Sequence, residues 1–151
     1  MLPRISVPSD NIIPGVKLER EVPSEEKRKN VLNFEAEYIH DIGQKVLNCM
    51  ETYRPYLQAD CNLAYISRLL EIPMHHLAFY FREEKKQSFN DFRNEYRVRY
   101  ARQLIRQGKA KEMTLEAIGL LSGFSTRKTF IAAFKKVEGV PPGVFLSRLS
   151  D

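Results

Sequence analysis

The side chains with the widest chemical range in this sequence are three histidines, His40, His75 and His76, and two cysteines, Cys49 and Cys61. Metal ligation by His75 and His76 together with the cysteines would need a spacing that matches no usual zinc pattern, and no CxxC is present. There is no Gly-rich phosphate loop, no Ser or Cys nucleophile motif and no HExxH. The chain therefore reads as a non-enzyme with no catalytic residue, no metal site and no cofactor, its histidines explained by helix surfaces. What remains is cationic charge. Residues 1–50 hold seven Lys or Arg against eight Asp or Glu, residues 51–151 hold 17 against 11, and the net charge is +5. An excess placed in that second part favours a polyanionic partner.

The basic part carries one motif twice, NLAYISRLLEIP over residues 62–73 and TLEAIGLLSGFS over residues 114–125, 52 residues apart. Each copy is followed by a second apolar-periodic run, Leu77 with Phe81 and Phe130 with Phe134. The offset of these runs is 53, because the later helix begins one residue further from its turn. Each copy reads as a helix-turn-helix. In the first, Leu63, Ile66, Leu69 and Leu70 share a face, and Pro73 suits the first position of the following helix. In the second, Thr114 reads as an N-cap and Gly123 stands where the chain must turn, a position held by Glu71 in the first copy. Between the copies, Ser88-Phe89-Asn90-Asp91 resembles a capping box with Asp in place of Glu. Phe89, Phe92, Tyr96, Tyr100, Ala101, Leu104 and Ile105 then continue at helical spacing towards Gly108. A connector helix over 88–107 would be about 30 Å long, near the roughly 34 Å between successive major grooves on one face of B-DNA. After the second copy, residues 139–143 stop the helix, and Val144, Phe145 and Leu149 suggest a short closing one.

Upstream, residues 1–23 contain four of the eight prolines and read as a linker or arm. Ser24, Glu25 and Glu26 open an amphipathic helix over 24–54, marked by Val31, Phe34, Tyr38, Ile39, Ile42, Val46, Met50 and Tyr53 and ended by Pro55. No segment argues for a strand. With 43% apolar residues the chain can build a core. Two cysteines, no apolar stretch of 18 residues and no signal peptide point to a cytoplasmic chain.

The run Ile118-Gly119-Leu120-Leu121-Ser122-Gly123-Phe124-Ser125, then Phe130, Phe134-Lys135-Lys136 and Gly139-Val140-Pro141-Pro142, resembles the second half of the AraC/XylS family of bacterial transcription regulators. Residues Ile66-Ser67-Arg68-Leu69-Leu70, Leu77, Phe81-Arg82-Glu83-Glu84, Ser88-Phe89, Arg97 and Ala101-Arg102-Gln103-Leu104-Ile105 resemble the first half. The resemblance spans about residues 55–149. It implies an all-α, homeodomain-like fold of two helix-turn-helix subdomains (about 62–86 and 114–138) joined by a long connector, about seven helices, here with an extra N-terminal amphipathic helix. It also implies a regulator that inserts one recognition helix into each of two adjacent major grooves of double-stranded DNA.

On that mapping the base-facing positions are Arg127, Lys128, Thr129, Ile131 and Ala132 in the second copy. In the first they are His75, Ala78 and Phe79, with His76 between them. Arg127 is the leading candidate, since a guanidinium can bond bidentately to guanine O6 and N7, whereas Lys128 offers a less directional charge. The first copy departs from the family, which often carries a long polar residue at Phe79 and a turn glycine at Lys86. An exposed Ala78-Phe79-Tyr80 run would read thymine methyls and groove shape, or contact protein. Phosphate contacts are expected from Asn62, Thr114, Ser125 and Thr126 and from the charges of Arg82, Lys135 and Lys136. Arg93, Arg99, Arg102 and Arg106 read as solvated or paired with acids such as Glu95 and Asp91, and Arg97 as a tie between the connector and a subdomain. RNA polymerase, and a second copy through the N-terminal helix, are further candidate partners; no small-molecule site is read. The chain reads as the output end of a larger sensor, a membrane-anchored one included. The competing reading is a helical protein-interaction or dimerisation module with reduced base readout.

Overall fold

Ser24 opens the first helix by accepting the Lys27 N–H on its Oγ at 3.3 Å, with Glu25 and Glu26 in the first turn, where the helix dipole favours negative charge. The computed structural model describes residues 22–151, so the arm expected over 1–23 lies outside the described residues except at its last two. The same holds for the side chain of Phe34. Helix α1 spans Glu25–Tyr53, and from Glu35 the chain forms one packed unit to Asp151. Within it α1 buries Ile42, Val46, Cys49 and Met50, at steps of three and four. Val31 and Tyr53, expected on that face, are 56% and 70% exposed. Val31 precedes the packed unit, and Tyr53 sits where the helix ends. A residue before proline is driven out of the right-handed helical region, and Arg54 leaves it at φ 49 to start a 3-10 turn, Pro55–Leu57.

Helices α2 (Leu63–Leu70) and α3 (Met74–Phe79) form the first pair, and α5 (Leu115–Leu121) and α6 (Arg127–Glu138) the second. Their first residues differ by the offsets of 52 and 53 read in the sequence. Helix α4 (Phe89–Arg106) connects them, and α7 (Pro142–Leu149) closes the chain. Among the described residues there are seven α-helices, α1 included, and no strand. Four further side-chain oxygens cap helix starts as Ser24 does: Asn62, Ser88, Thr114 and Thr126 accept the N–H three residues on, at 2.8 to 3.2 Å. Pro73 is the residue before α3 rather than its first, and it carries no side-chain cap. Leu69 turns outward, leaving Ile66 as the fully buried residue of α2.

The turns differ in chemistry. Gly123 takes φ 97, and Glu71 reaches φ 55 without being glycine, as does Lys86 at φ 52. Ser67 braces the first turn by donating its hydroxyl to the Ile72 carbonyl at 2.6 Å. Its counterpart in the second copy is Gly119, where a Cβ would lie 2.6 Å from the Phe130 ring. Only a residue without a side chain fits against the Phe130 ring at that place in the second copy.

Each pair has its own aromatic-rich core, and α4 belongs to both. Phe89, Phe92 and Tyr96 face the first, with Leu77, Phe81, Tyr56 and the buried face of α1; Val98, Ala101 and Ile105 face the second, with Ile118, Phe124, Phe130 and Phe134. Ring centroids step at 5.2 to 5.8 Å through Tyr56, Tyr96, Phe92 and Phe81 in one core and through Phe124, Phe130, Phe134 and Phe145 in the other, a spacing that favours edge-to-face contacts. Tyr100 and Leu104, expected inward, are only half-buried.

Candidate nucleic-acid interface

Helix α6 is buried along Phe130, Ala133 and Phe134, so the opposite face looks outward. That face carries Lys128, Ala132 and Lys135, with Thr129 at its side and Arg127 at the first position of the helix, all exposed and preceded by exposed Ser125 and Thr126. The only acid of the helix, Glu138, is taken by Arg102 of α4 at 2.7 Å. The start of α6 thus combines two cations, a helix N-terminus and no competing carboxylate on its own element. Of the five base-facing positions expected here, Ile131 alone is half-buried, in a cleft of about 220 Å³ with Leu115, Phe130, Pro141 and Pro142 that Arg127 and Glu116 also border. The hydroxyl of Thr129 bonds the Thr126 hydroxyl and carbonyl, both at 2.9 Å. Lys135 has no acidic partner among the described residues, whereas Lys136 reaches Asp91 at 2.7 Å and so arrives with its charge partly spent.

The equivalent face of α3 differs. His76 is half-buried and its Nδ1 lies 2.8 Å from the Tyr38 hydroxyl, with the two rings edge to face at 5.5 Å. It is engaged with α1 rather than turned outward between His75 and Ala78. Tyr80, expected in an exposed run, is buried, because it follows Leu77 by three residues and α1 offers Gly43 opposite it. A Cβ on Gly43 would stand 3.0 Å from the Tyr80 ring. The helix then continues through a π-helical turn, Tyr80–Glu84, an irregularity α6 lacks. Ala78 is half-buried; His75 is exposed, and Phe79 is 43% exposed with the Arg82 guanidinium 5.7 Å above its ring. Arg82 itself is paired with Glu83 at 2.8 Å. That contact holds the Glu83 carboxyl below its usual range, chiefly through the hydrogen bond from Arg82. This face carries no unpaired Lys or Arg among the described residues.

Asn62, Thr114 and Thr126, expected at phosphates, spend their side-chain oxygens on helix caps, which leaves backbone N–H groups for that role. The connector arginines are not paired with Glu95 and Asp91, whose partners are Gln87 and Lys136. Arg99 lies over Tyr96 and 3.9 Å from Glu51, Arg102 meets Glu138, and Arg106 lies over Phe145. Arg93 donates to the Cys61 carbonyl at 2.8 Å, and Arg97 to the Tyr56 and Gln58 carbonyls at 2.6 and 2.8 Å. Helical spacing showed only that these arginines share a connector. Their hydrogen-bond partners across the fold lie 32 to 41 residues away, beyond any local signal.

Residues 66–148 match the sequence model of a helix-turn-helix domain family of AraC type, more than half of the chain. The chain belongs to that family. The AraC-type helix-turn-helix domain is a DNA-binding module of transcription regulators and not an enzyme family, and DNA binding in transcription regulation is the general role of this chain. A solved structure of a protein of unknown function from Listeria innocua is similar to it, with 27% identity and a TM-score of 0.61 over 70% of this chain and 95% of that one. No curated protein matches the chain. Among the described residues no helix is long and apolar enough to cross a membrane.

Proposed function

We propose that this AraC-type chain binds double-stranded DNA with α6 as the principal reader in one major groove and α3 as a weaker contact in the adjacent one, acting as the output domain of a larger sensor. The observation that carries the reading is the exposed, cation-bearing first turn of α6, where Arg127 and Lys128 follow the Thr126 cap. Arg127 reads a base edge, with Lys128, Thr129 and Ala132 lining the same groove. Lys135, Ser125 and the backbone at Asn62, Thr114 and Thr126 meet phosphates. Arg82 and Lys136 contribute less, because each already has an acidic partner. The 18 residues of α4 give it about 27 Å, shorter than the roughly 34 Å between groove segments, so the outward reach of α3 and α6 makes up the difference.

The test is fluorescence anisotropy on duplexes selected by the chain from a random library, against unrelated duplex, at several salt concentrations. Arg127→Ala should weaken the selected site by about 1 to 3 kcal/mol and unrelated DNA much less. Lys135→Ala should weaken both alike and flatten the salt dependence. Equal losses from the two substitutions would remove the assigned roles. A dimer with no DNA affinity would favour the interaction-module alternative, from which burial has already taken Tyr80.

A further inference from the structure

We propose that Arg97, with the Tyr56 carbonyl and Gly123, sets the orientation of one recognition helix relative to the other, and so the half-site spacing this protein accepts. The proposal rests on the two-groove reading above.

Three segments converge on Arg97. Its own helix, α4, is shared by both cores. Its guanidinium donates to Tyr56 and Gln58, in the segment that leads into α2, and its Cζ lies 5.6 Å from the centre of the Phe124 ring, in the turn between α5 and α6. The backbone of that turn is in direct contact with the same segment. A Cβ on Gly123 would lie 2.3 Å from the Tyr56 oxygen, 2.8 Å from Arg97 Nε and 3.2 Å from the Leu57 Cα. Arg93, one turn earlier, holds the Cys61 carbonyl and completes the grip on residues 56–61.

Arg97 is 3% exposed and has no carboxylate partner among the described residues. Burial, followed by the nearby charge of Arg93, pushes it down to about 10, still protonated at neutral pH. Desolvating a guanidinium is costly, and the two hydrogen bonds to the Tyr56 and Gln58 carbonyls offset that cost. What the guanidinium adds is direction: two planar N–H bonds to two fixed carbonyls define one angle between the segment before α2 and the connector. Through Gly123 and Phe124 that angle reaches the turn that aims α6. The ion pairs Asp91–Lys136 and Arg102–Glu138 tie α6 to α4 from the other side.

The experiment uses the full chain, with duplexes selected by the wild type from a random library. These are then rebuilt with 2 bp inserted or removed between the half-sites, which turns one half-site by about 70°, and as single half-sites. The wild type should lose about tenfold in affinity on either change. In Arg97→Met that penalty should shrink to about twofold, with single-half-site affinity kept within about twofold of wild type. Arg97→Lys should fall between. Gly123→Ala attacks the junction from the opposite turn and should also broaden or shift the preferred spacing, so a variant that fails to fold does not decide the matter. Circular dichroism confirms which variants are folded. If folded variants keep the full spacing penalty, or lose half-site affinity with the penalty unchanged, Arg97 is merely structural and the proposal is overturned. If the wild type binds full sites no more tightly than half-sites, the two-groove reading falls, and this proposal with it.

Discussion

Gly123→Ala should be the most damaging substitution among the three described glycines Gly123, Gly139 and Gly143, and that series can separate the two reasons. Holding alanine at φ 97 costs about 1 to 2 kcal/mol from backbone sterics alone. The new methyl would also stand 2.3 Å from the Tyr56 oxygen, a backbone atom that can only move by leaving Arg97. A charge-assisted hydrogen bond so disturbed is worth about 1.5 to 3 kcal/mol. The total is about 2.5 to 5 kcal/mol, or roughly 10 to 20 °C of melting temperature at about 4 °C per kcal/mol. Gly139→Ala isolates the first term, because Gly139 has φ 82 but nothing within 4 Å of a Cβ. It should cost about 1 to 2 kcal/mol. Gly143 lies in α7 without a positive φ and also faces open space, so Gly143→Ala should be neutral or raise stability by up to about 1 kcal/mol. Urea and thermal unfolding followed by circular dichroism rank the three. A Gly123→Ala loss within about 1 kcal/mol of the Gly139→Ala loss would mean that backbone conformation explains both and that the close approach to Tyr56 is absent.

Other perturbations test other parts of the structure. The Asp91 carboxyl is held below its usual range, first by the hydrogen bond from Lys136. A depressed carboxylate stabilises the fold above its unfolded pKa and loses that contribution as pH falls through the folded value. Asp91→Asn should therefore cost at most about 1 kcal/mol at pH 7, the pair being exposed, and the difference in melting temperature should shrink below about pH 4. A gap that widens on acidification would contradict the pairing. Burial raises both thiols, Cys61 to about 11, so native protein at pH 8 should resist a disulfide-exchange reagent and release two equivalents only in urea. Rapid native labelling would show the first core to be open. Tyr38→Phe removes the hydroxyl at His76 and should lower stability by about 0.5 to 1.5 kcal/mol in urea with an unchanged m-value; no loss would place His76 elsewhere.

The parts of the fold that are local in sequence were legible. Ser24, Ser88 and Thr114 cap the helices they were expected to open, and the 52 and 53 offsets reproduce the helix starts, whereas Asn62 and Thr126, expected at phosphates, also cap. Gly123 shows by residue type that a positive φ is needed, but not that Tyr56 presses on it. Tyr80 was misplaced because the outward face of α3 was drawn from a regular helix, whereas Gly43, 37 residues earlier, opens the space that takes the ring inward. The connector arginines resisted for the same reason: their partners are carbonyls and acids that only packing brings near.

The inequality of the two recognition helices follows from the elements beside them. Helix α3 has α1 along its flank, and a cleft of about 560 Å³ between them is lined by Tyr38, Ile39, His75, His76, Phe79 and Arg82. Every polar group on that side of α3 except His75 has a partner: His76 has Tyr38, and Arg82 has Glu83. Helix α6 is flanked by α7 instead, which packs Phe145 against Phe134 and closes over Ile131 through Pro141 and Pro142. Arg127 borders the same cleft from the first turn of α6 yet stays exposed, and Thr129 is held only by Thr126. A helix-turn-helix fixes how a recognition helix is carried, and the flanking helix decides which of its side chains remain available. Here that leaves Arg127 and Lys128 exposed, while the matching turn of α3 keeps one exposed histidine.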